Sequence, residues 1–204
     1  MKKLNNYKLA SLPLALCFAL GIATNVPAAD LNKLVEGCAD CHNKDGNTDG
    51  EAPSIAGISV VYFTDSMNAY KKGRPALKLK DKKEDMQDVV KKLSDEDIKA
   101  LADYFSKKKF KPLKQNFDPE LAKAGKKIHK KYCDKCHSEG GTSSEDDAGI
   151  LAGQPISYLK YTMDNYHTGK REMGKKMSKK FKKMTEKEGD DGIKKLIHYY
   201  ASQH

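Results

Sequence analysis

Apolar residues recur at helical spacing in two segments that lie 95 residues apart in the chain. Within each segment they stand at positions i, i+3, i+4 and i+7, which places them on one face of a helix. The two sets are Ile98, Leu101, Ala102 and Phe105, and Ile193, Leu196, Ile197 and Tyr200. Ser94 precedes the first set and is followed by three acidic residues, as is typical of a capped helix N-terminus. The pattern predicts a helix in each segment.

The remaining pattern also indicates helices. We predict one helix from Tyr62 to Tyr70 and an equivalent one from Tyr158 to Tyr166, with shorter helices beginning at Leu31 and Leu121. No segment shows sustained alternation of apolar and polar residues rich in Val, Ile and Thr, which a half-buried strand would need. The predicted fold class is therefore all-α.

Residues 1–28 have the pattern of a secretory signal peptide. Three lysines precede an apolar run from Leu9 to Ile22, and Val26-Pro27-Ala28 supplies small residues for cleavage. The apolar run is too short to span a bilayer comfortably, and no other stretch is apolar enough. We therefore predict an exported, periplasmic protein without a membrane span, which loses Cys17 with its signal.

Composition and charge limit the kinds of ligand and the kinds of stabilising group that we expect for this chain. The chain has 38 Lys and Arg against 28 Asp and Glu, a formal charge of +10, and only 38% hydrophobic residues. Removing the signal takes away three lysines and no acid, which leaves +7. Lysine runs such as Lys107–Lys109 could suggest nucleic acid, but an exported location argues against that ligand. A small domain with so little apolar material needs a disulfide, a metal or a cofactor to stabilise it.

The four cysteines outside the signal form two C-x-x-C-H motifs, at residues 38–42 and 133–137. The repeat extends beyond them, since Ala56-Gly57 matches Ala152-Gly153 and Gly73 matches Gly169. We predict two homologous domains, 29–105 and 120–204, joined by a basic, proline-containing linker at 106–119.

Three chemistries use two cysteines at this spacing. A zinc ribbon requires two such pairs about 15–20 residues apart, and a thioredoxin-like dithiol is expected beside a βαβ unit; neither pattern is present. The third is covalent attachment of haem, in which the cysteines form thioethers and the next histidine binds the iron. We predict two haem c groups, attached at Cys38, Cys41, Cys133 and Cys136, with His42 and His137 as proximal ligands.

The distal ligands are predicted to be methionines. Met86 lies seven residues before Leu93, and Met177 lies seven before Met184, so the two hold equivalent places before the last helix of each half. Met173 competes with Met177 in the second half. Met67 and Met163 are also equivalent, but they fall in predicted helices, where methionine usually fills the core.

Six lysines surround Met177 in sequence, and they allow two interpretations. They are Lys175, Lys176, Lys179, Lys180, Lys182 and Lys183. The first interpretation is a solvated helix face, and the second is a positive collar at a haem edge that attracts acidic redox partners.

These residues resemble class I cytochromes c in tandem and, more closely, the dihaem cytochrome subunit of flavocytochrome c sulfide dehydrogenase. The resemblance covers nearly the whole chain after the signal and is strongest in 62–73, 104–118, 130–141, 150–154, 173–177 and 199–203. It implies two tandem cytochrome c domains and a flavoprotein partner subunit that carries FAD and oxidises sulfide. The haems would then pass electrons to a soluble acceptor, such as a partner cytochrome.

The chain departs from that family at two places. A proline after the haem motif usually supplies a carbonyl to the proximal histidine; Pro53 fits, but the repeat places Gly149 at the second site. Gln154 is followed by Pro155, where the family would have an aromatic residue. These departures concern details of the haem pocket or the subunit contact.

The sequence leaves three functional hypotheses. The first is the cytochrome subunit of a sulfide-oxidising flavocytochrome, and the second is a free-standing dihaem shuttle to a terminal oxidase. The third, a dihaem peroxidase, needs an open distal site. The chain offers no catalytic carboxylate pair, activated nucleophile or flavin-binding glycine loop, so its own part would be to move single electrons.

Overall fold

The computed structural model describes residues 30–204 and is all-helical there, as predicted. The predicted signal peptide lies outside the described residues. No strand occurs between residues 30 and 204. The helices are α1 (Leu31–His42), α2 (Val60–Lys71), α3 (Met86–Val90), α4 (Asp95–Ser106), α5 (Pro119–Tyr132), α6 (Ser138–Gly141), α7 (Ile156–His167) and α8 (Lys175–Ala201).

The helix N-termini are set by local sequence. The Ser94 side chain accepts a hydrogen bond from the Asp97 N–H, and the Asp97 carboxylate accepts one from the Ser94 N–H, which forms a capping box at α4. Asp118 caps α5, and Pro119 occupies its first turn, where a missing N–H costs nothing. These caps explain why α4 and α5 begin where a polar residue precedes the apolar pattern.

The last helix differs from its prediction. Helix α8 begins at Lys175, well before the apolar repeat at Ile193, and it is interrupted at Gly189, whose φ of 62° is outside the helical region. The part of α8 after Gly189 corresponds to α4, and the lysine-rich part before it is an additional helical arm. Glycine tolerates this backbone conformation at no steric cost.

The apolar side chains form two clusters. The first contains mainly residues of α1, α2 and α4, and the second contains residues of α5, α7 and α8. Ile150 belongs to the second half by sequence but packs into the first cluster. The domain boundaries proposed from sequence stay a prediction, and Ile150 shows that the two halves share a packed contact.

The internal repeat is visible in backbone hydrogen bonds. Gly57 N donates to Phe105 O at 2.9 Å, and Gly153 N donates to Tyr200 O at 2.8 Å. Each hydrogen bond joins the turn that follows a cysteine motif to the C-terminal end of the last helix in the same half, which is α4 in the first half and α8 in the second. The same tertiary arrangement is therefore built twice.

The linker contacts both halves. Asn47 Oδ1 accepts a hydrogen bond from Lys111 N at 2.7 Å, and Leu113 N donates to Gly153 O at 2.9 Å. Gln115 Nε2 donates to Gln154 O at 2.8 Å.

Within residues 30–204, no helix is both long and apolar enough to span a membrane.

Candidate functional site

The first cysteine motif lies at the C-terminal end of α1. Cys38 and Cys41 lie in its last turns, and His42 is the final helical residue, with a side chain that is 6% exposed. His42 Nδ1 donates to Pro53 O at 2.7 Å, which is the bond expected from the family resemblance. Because a carbonyl can only accept, Nε2 is the nitrogen left to bind a metal.

Burial raises the thiol pKa of three of the four motif cysteines, Cys38, Cys41 and Cys133. Burial and the neighbouring Cys41 raise the pKa of Cys38 to about 11, and burial also raises the pKa of Cys133. None of the four cysteines at 38, 41, 133 and 136 is disulfide-bonded. A reactive dithiol needs a lowered thiol pKa, so these surroundings disfavour a thiol–disulfide exchange site.

The second cysteine motif lies in a different backbone structure from the first, and its histidine has fewer hydrogen bonds. Helix α5 ends at Tyr132, so Cys133 to His137 follow the helix in a turn. The His137 Nδ1 atom is buried and has no hydrogen-bond partner. Burial lowers the pKa of His137, and the nearby Gly149 carbonyl opposes that shift without a hydrogen bond of normal geometry. His137 is therefore held less firmly than His42.

A contact between the halves explains why glycine stands at position 149. A Cβ atom at Gly149 would lie 2.6 Å from Cζ and the hydroxyl oxygen of Tyr62, which belongs to the first half. A proline ring needs still more room there. The departure from the family pattern at Gly149 thus accommodates Tyr62.

One cavity of about 550 Å³ brings the four predicted iron ligands together. It is lined by His42 and Met86 from the first half and by His137 and Met177 from the second. Met67 and Met163 also border it, but they are buried in the helices α2 and α7, as expected for core residues. The assignment of the four ligands stays a prediction, and their placement on one cavity is consistent with it.

The two distal candidates lie in helices rather than in the expected loops. Met86 begins α3 behind the N-cap Asp85, and Met177 lies in the first turn of α8. Met173 lines a separate groove that reaches neither His137 nor any of the four cysteines of the described chain. Of the two competitors in the second half, only Met177 shares a cavity with His137.

Two arginines that the sequence reasoning missed cross between the halves. Arg74 Nη2 donates to the Tyr158 hydroxyl, and Arg171 Nη2 donates to the Tyr62 hydroxyl, both at 3.5 Å. Both side chains line the shared cavity. A signal was present in the sequence, because these are the only two arginines in the chain and they follow the matched glycines 73 and 169.

The arginines create a strongly positive environment. Burial would raise the pKa of Tyr158, but Arg74 and Arg171 lower it to about 8. Neither arginine forms an ion pair with a carboxylate anywhere in residues 30–204. The cavity therefore combines apolar walls, the histidines of both cysteine motifs, Cys136 and two cations, and this set of groups fits haem with its carboxylates.

Gln154 forms a further link between the halves. Its Oε1 accepts from Ser54 N at 2.9 Å, and its Nε2 donates to Ser54 O at 3.0 Å, both in buried surroundings. Pro155 then serves as the N-cap residue of α7. In the sequence alone, Gln154-Pro155 is visible only as a departure from the family pattern.

The six lysines around Met177 are all exposed. Lys176, Lys179 and Lys180 line a second cavity of about 310 Å³, together with Cys133 and Met177. Of the six, only Lys182 forms an ion pair with another residue of the described chain, Glu186, at 3.9 Å. This surface is hereafter called the lysine collar.

Several known cytochromes c are similar to this chain. A family model described as cytochrome c matches residues 28–108. The chain is 32% identical to cytochrome c-553 of Nitratidesulfovibrio vulgaris (Miyazaki F) over 97 residues, 46% of this chain and 92% of that protein. It is 29% identical to cytochrome c4 of Stutzerimonas stutzeri over 175 residues, 77% of this chain and 82% of that protein. The crystal structure of reduced recombinant cytochrome c4 from Pseudomonas stutzeri matches with a TM-score of 0.66 and 25% identity, covering 87% of this chain and all of that one.

Proposed function

The chain belongs to the cytochrome c family, and from this premise we propose that it is a periplasmic dihaem protein that transfers electrons from a flavoprotein to a soluble acceptor. Haem c supplies one-electron chemistry by cycling between Fe(III) and Fe(II). Cys38 and Cys41 would hold one haem, and Cys133 and Cys136 the other. The observation that carries the proposal is the single cavity lined by both histidines and both methionines.

The chain's own residues account for the ligand chemistry. The Pro53 carbonyl orients His42, and burial keeps the rings of His42 and His137 in the neutral form that binds a metal. A thioether from Met86 or Met177 would stabilise reduced iron and raise its potential. Both candidate ligand pairs line one cavity, an arrangement that would favour electron transfer from one haem to the other.

We propose that the electron donor is an FAD-containing subunit that oxidises sulfide. The resemblance of the linker and of the C-terminus to flavocytochrome cytochrome subunits supports it. Val60 and Val61, at the start of α2, are 37% and 51% exposed and offer apolar surface on the first half. The lysine collar on the second half suits an acidic acceptor.

A free-standing carrier is the second candidate, and a specific observation favours it. The cytochrome c4 chain from Pseudomonas stutzeri is covered over its whole length, and the match takes in both halves of this chain, 87% of its residues. A carrier of this kind would deliver electrons to a terminal oxidase without a flavoprotein partner.

Purification from the native periplasm separates the two candidates. The flavoprotein proposal predicts FAD in a 1:1 ratio to this chain, and it predicts that V60S/V61S loses the flavoprotein while keeping both haems. Serine already stands at 157, the position equivalent to 61, so V61S copies the second half, whereas V60S replaces a residue whose equivalent is Ile156. A flavin-free dihaem monomer that no isolated flavoprotein reduces with sulfide would establish the carrier instead. A high-spin haem in the spectrum would favour the peroxidase hypothesis.

A further inference from the structure

The peptide group between Pro53 and Ser54 forms hydrogen bonds on both of its sides. Its carbonyl oxygen, Pro53 O, accepts from His42 Nδ1 at 2.7 Å. Its N–H, which is that of Ser54, donates to Gln154 Oε1 at 2.9 Å, and Gln154 Nε2 donates back to Ser54 O at 3.0 Å. His42 and Ser54 belong to the first half, whereas Gln154 belongs to the second. One peptide group therefore connects a predicted iron ligand of one half to a side chain of the other.

The geometry of a peptide group makes this connection stiff. The C=O and N–H of one peptide lie in a common plane and resist rotation relative to each other. A hydrogen bond donated by the N–H also polarises the C=O and strengthens it as an acceptor, particularly in buried surroundings. Gln154 therefore acts on both the direction and the strength of the hydrogen bond that Pro53 O accepts from His42.

Gln154 provides the hydrogen bonds of the Ser54 backbone. Among residues 30–204, Ser54 N and Ser54 O bond only to the Gln154 side chain. The Ser54 hydroxyl accepts from Thr48 N, and Ile55 N donates to Gly46 O, so the first half holds the neighbouring groups but not this peptide. Ser54 and Gln154 are both buried, so loss of the amide would leave two buried backbone groups without partners.

The second half lacks this arrangement. The residue equivalent to Gln154 is Ile58, which is buried and has no side-chain group that forms hydrogen bonds. The equivalent peptide joins Gly149 to Ile150, and His137 Nδ1 has no hydrogen-bond partner. The histidine with a well-formed hydrogen bond thus belongs to the half whose supporting peptide is held by glutamine.

We propose that Gln154 is a positioning residue for the first haem: it holds the Pro53–Ser54 peptide so that the carbonyl orients His42, and it thereby keeps the reduction potential of that haem low. This inference rests on the proposed dihaem function. A strong hydrogen bond from Nδ1 makes the imidazole a more basic ligand, and a more basic ligand favours Fe(III) over Fe(II). Gln154 acts on the iron only through Pro53 and His42, so the second half sets a property of the first haem.

The test removes the amide of Gln154 and follows each haem separately in the holoprotein. Q154M keeps an unbranched side chain of similar size but has no amide. Q115M is the matched control, because the Gln115 amide also bonds to two backbone atoms, Gln154 O at 2.8 Å and Ile156 N at 2.9 Å, but not to the Pro53–Ser54 peptide. Intact mass counts the attached haems, and nuclear magnetic resonance during a redox titration gives the midpoint potential of each haem.

Q154M should increase the reduction equilibrium constant of the first haem by about threefold, which raises its potential by about 28 mV at about 59 mV for a factor of ten. The His42 Nδ1 proton should exchange with deuterium faster than in the wild type, because its acceptor is held less firmly. The second haem should keep its potential, and Q115M should shift the first haem less than half as much as Q154M.

A milder variant covers the case in which Q154M does not fold. In Q154N the amide is one methylene shorter and cannot reach both Ser54 N and Ser54 O, so the potential of the first haem should again rise. An unchanged potential in Q154N would then overturn the proposal.

Two negative results have different meanings. An unchanged first haem in Q154M with both haems attached, equal shifts of both haems, or an equal shift in Q115M would overturn the role of Gln154 alone. A wild-type protein without haem on Cys38 and Cys41 would overturn both this role and the dihaem function.

Discussion

The two halves repeat one helical plan but place different side chains behind their cysteine motifs. In the first half, Leu34 and Phe105 occupy the positions that His129 and Tyr200 occupy in the second. His129 and Tyr200 are buried, and His129 Nδ1 and the Tyr200 hydroxyl form a hydrogen bond of 3.0 Å. His129 Nε2 lies 3.1 Å from Asp134, so both ring nitrogens have partners. The fold therefore accepts a polar pair in place of an apolar one when the polar groups satisfy each other.

The halves also differ in packing and charge. In the second half, Gly125 lets α5 approach α8 so closely that a Cβ atom there would lie 2.1 Å from Lys195 O. The segment from Gly73 to Leu93 in the first half has seven basic and four acidic residues. The equivalent segment from Gly169 to Met184 in the second half has eight basic residues and one acidic residue. The second half is thus the more tightly packed and the more positive one.

The largest expected effect is loss of one distal ligand. M86L should change the spectrum of the first haem, and M177L that of the second, because leucine cannot bind iron. The core should tolerate either substitution, since leucine and methionine have similar volumes and such exchanges cost less than about 1.5 kcal/mol. M173L is the control and should leave both haems low-spin by absorption and electron paramagnetic resonance. A spectral change in M173L but not in M177L would assign the ligand to position 173.

The close approach of α5 and α8 predicts a large loss of stability in G125A. The clashing atom is a backbone carbonyl that cannot move aside, so the variant should lose about 3 kcal/mol, the upper end of the usual cost of overpacking. G37A in α1 is the control, because no atom lies within 4 Å of the place where the added methyl group would stand, and alanine should stabilise that helix by up to about 1 kcal/mol. Urea unfolding of the holoprotein measures both, and equal stabilities would contradict the packing difference.

The polar pair behind the second motif predicts a double-mutant cycle. H129L should cost about 1–3 kcal/mol because it leaves the Tyr200 hydroxyl buried without its partner. Adding Y200F should restore much of that loss, since the double variant copies Leu34 and Phe105 of the first half. Additive losses in the two single variants would show that the two side chains act independently.

The same pair predicts a difference in pH dependence. Burial lowers the pKa of His129, although Asp134 opposes the shift, so the ring is neutral in the folded state. The resulting stability is fully present above the unfolded pKa of about 6.5 and is lost as the pH falls through the lowered folded value. The wild type should therefore lose more stability than H129L/Y200F between about pH 7 and about pH 5 in urea titrations. Parallel curves would contradict this role for His129.

The smallest effect concerns the lysine collar. K176E/K180E should slow reduction of an acidic acceptor by about tenfold at low salt and should weaken the dependence on ionic strength. K80E/K83E places the same charge change on the first half and should act less, which stopped-flow kinetics can measure. Equal effects of both variants would favour the alternative interpretation of the collar as a solvated helix face.

The sequence predicted the all-α fold and the helices whose apolar faces repeat, because helix periodicity and capping are local properties. It did not predict that α8 begins at Lys175: Met177, Phe181 and Met184 stand at helical spacing there, but the prediction rested on the repeat of the apolar face of α4, which begins only at Ile193. Contacts between the halves were also missed, including those of Arg74, Arg171 and Gln154, because they depend on how two separately patterned units meet. Glycine stands at position 149, where the family pattern has proline, because a larger residue would clash with Tyr62. That contact joins the two halves and is not visible in the sequence.

The central claim is that each half carries one covalently attached haem. Intact mass of the mature protein, followed by peptide mapping after treatment with a thiol alkylating agent, tests it most directly. The account predicts two haems, one on the peptide with Cys38 and Cys41 and one on the peptide with Cys133 and Cys136, with none of these cysteines alkylated. A single haem, or alkylation of either pair in protein from a host competent in haem attachment, would contradict it.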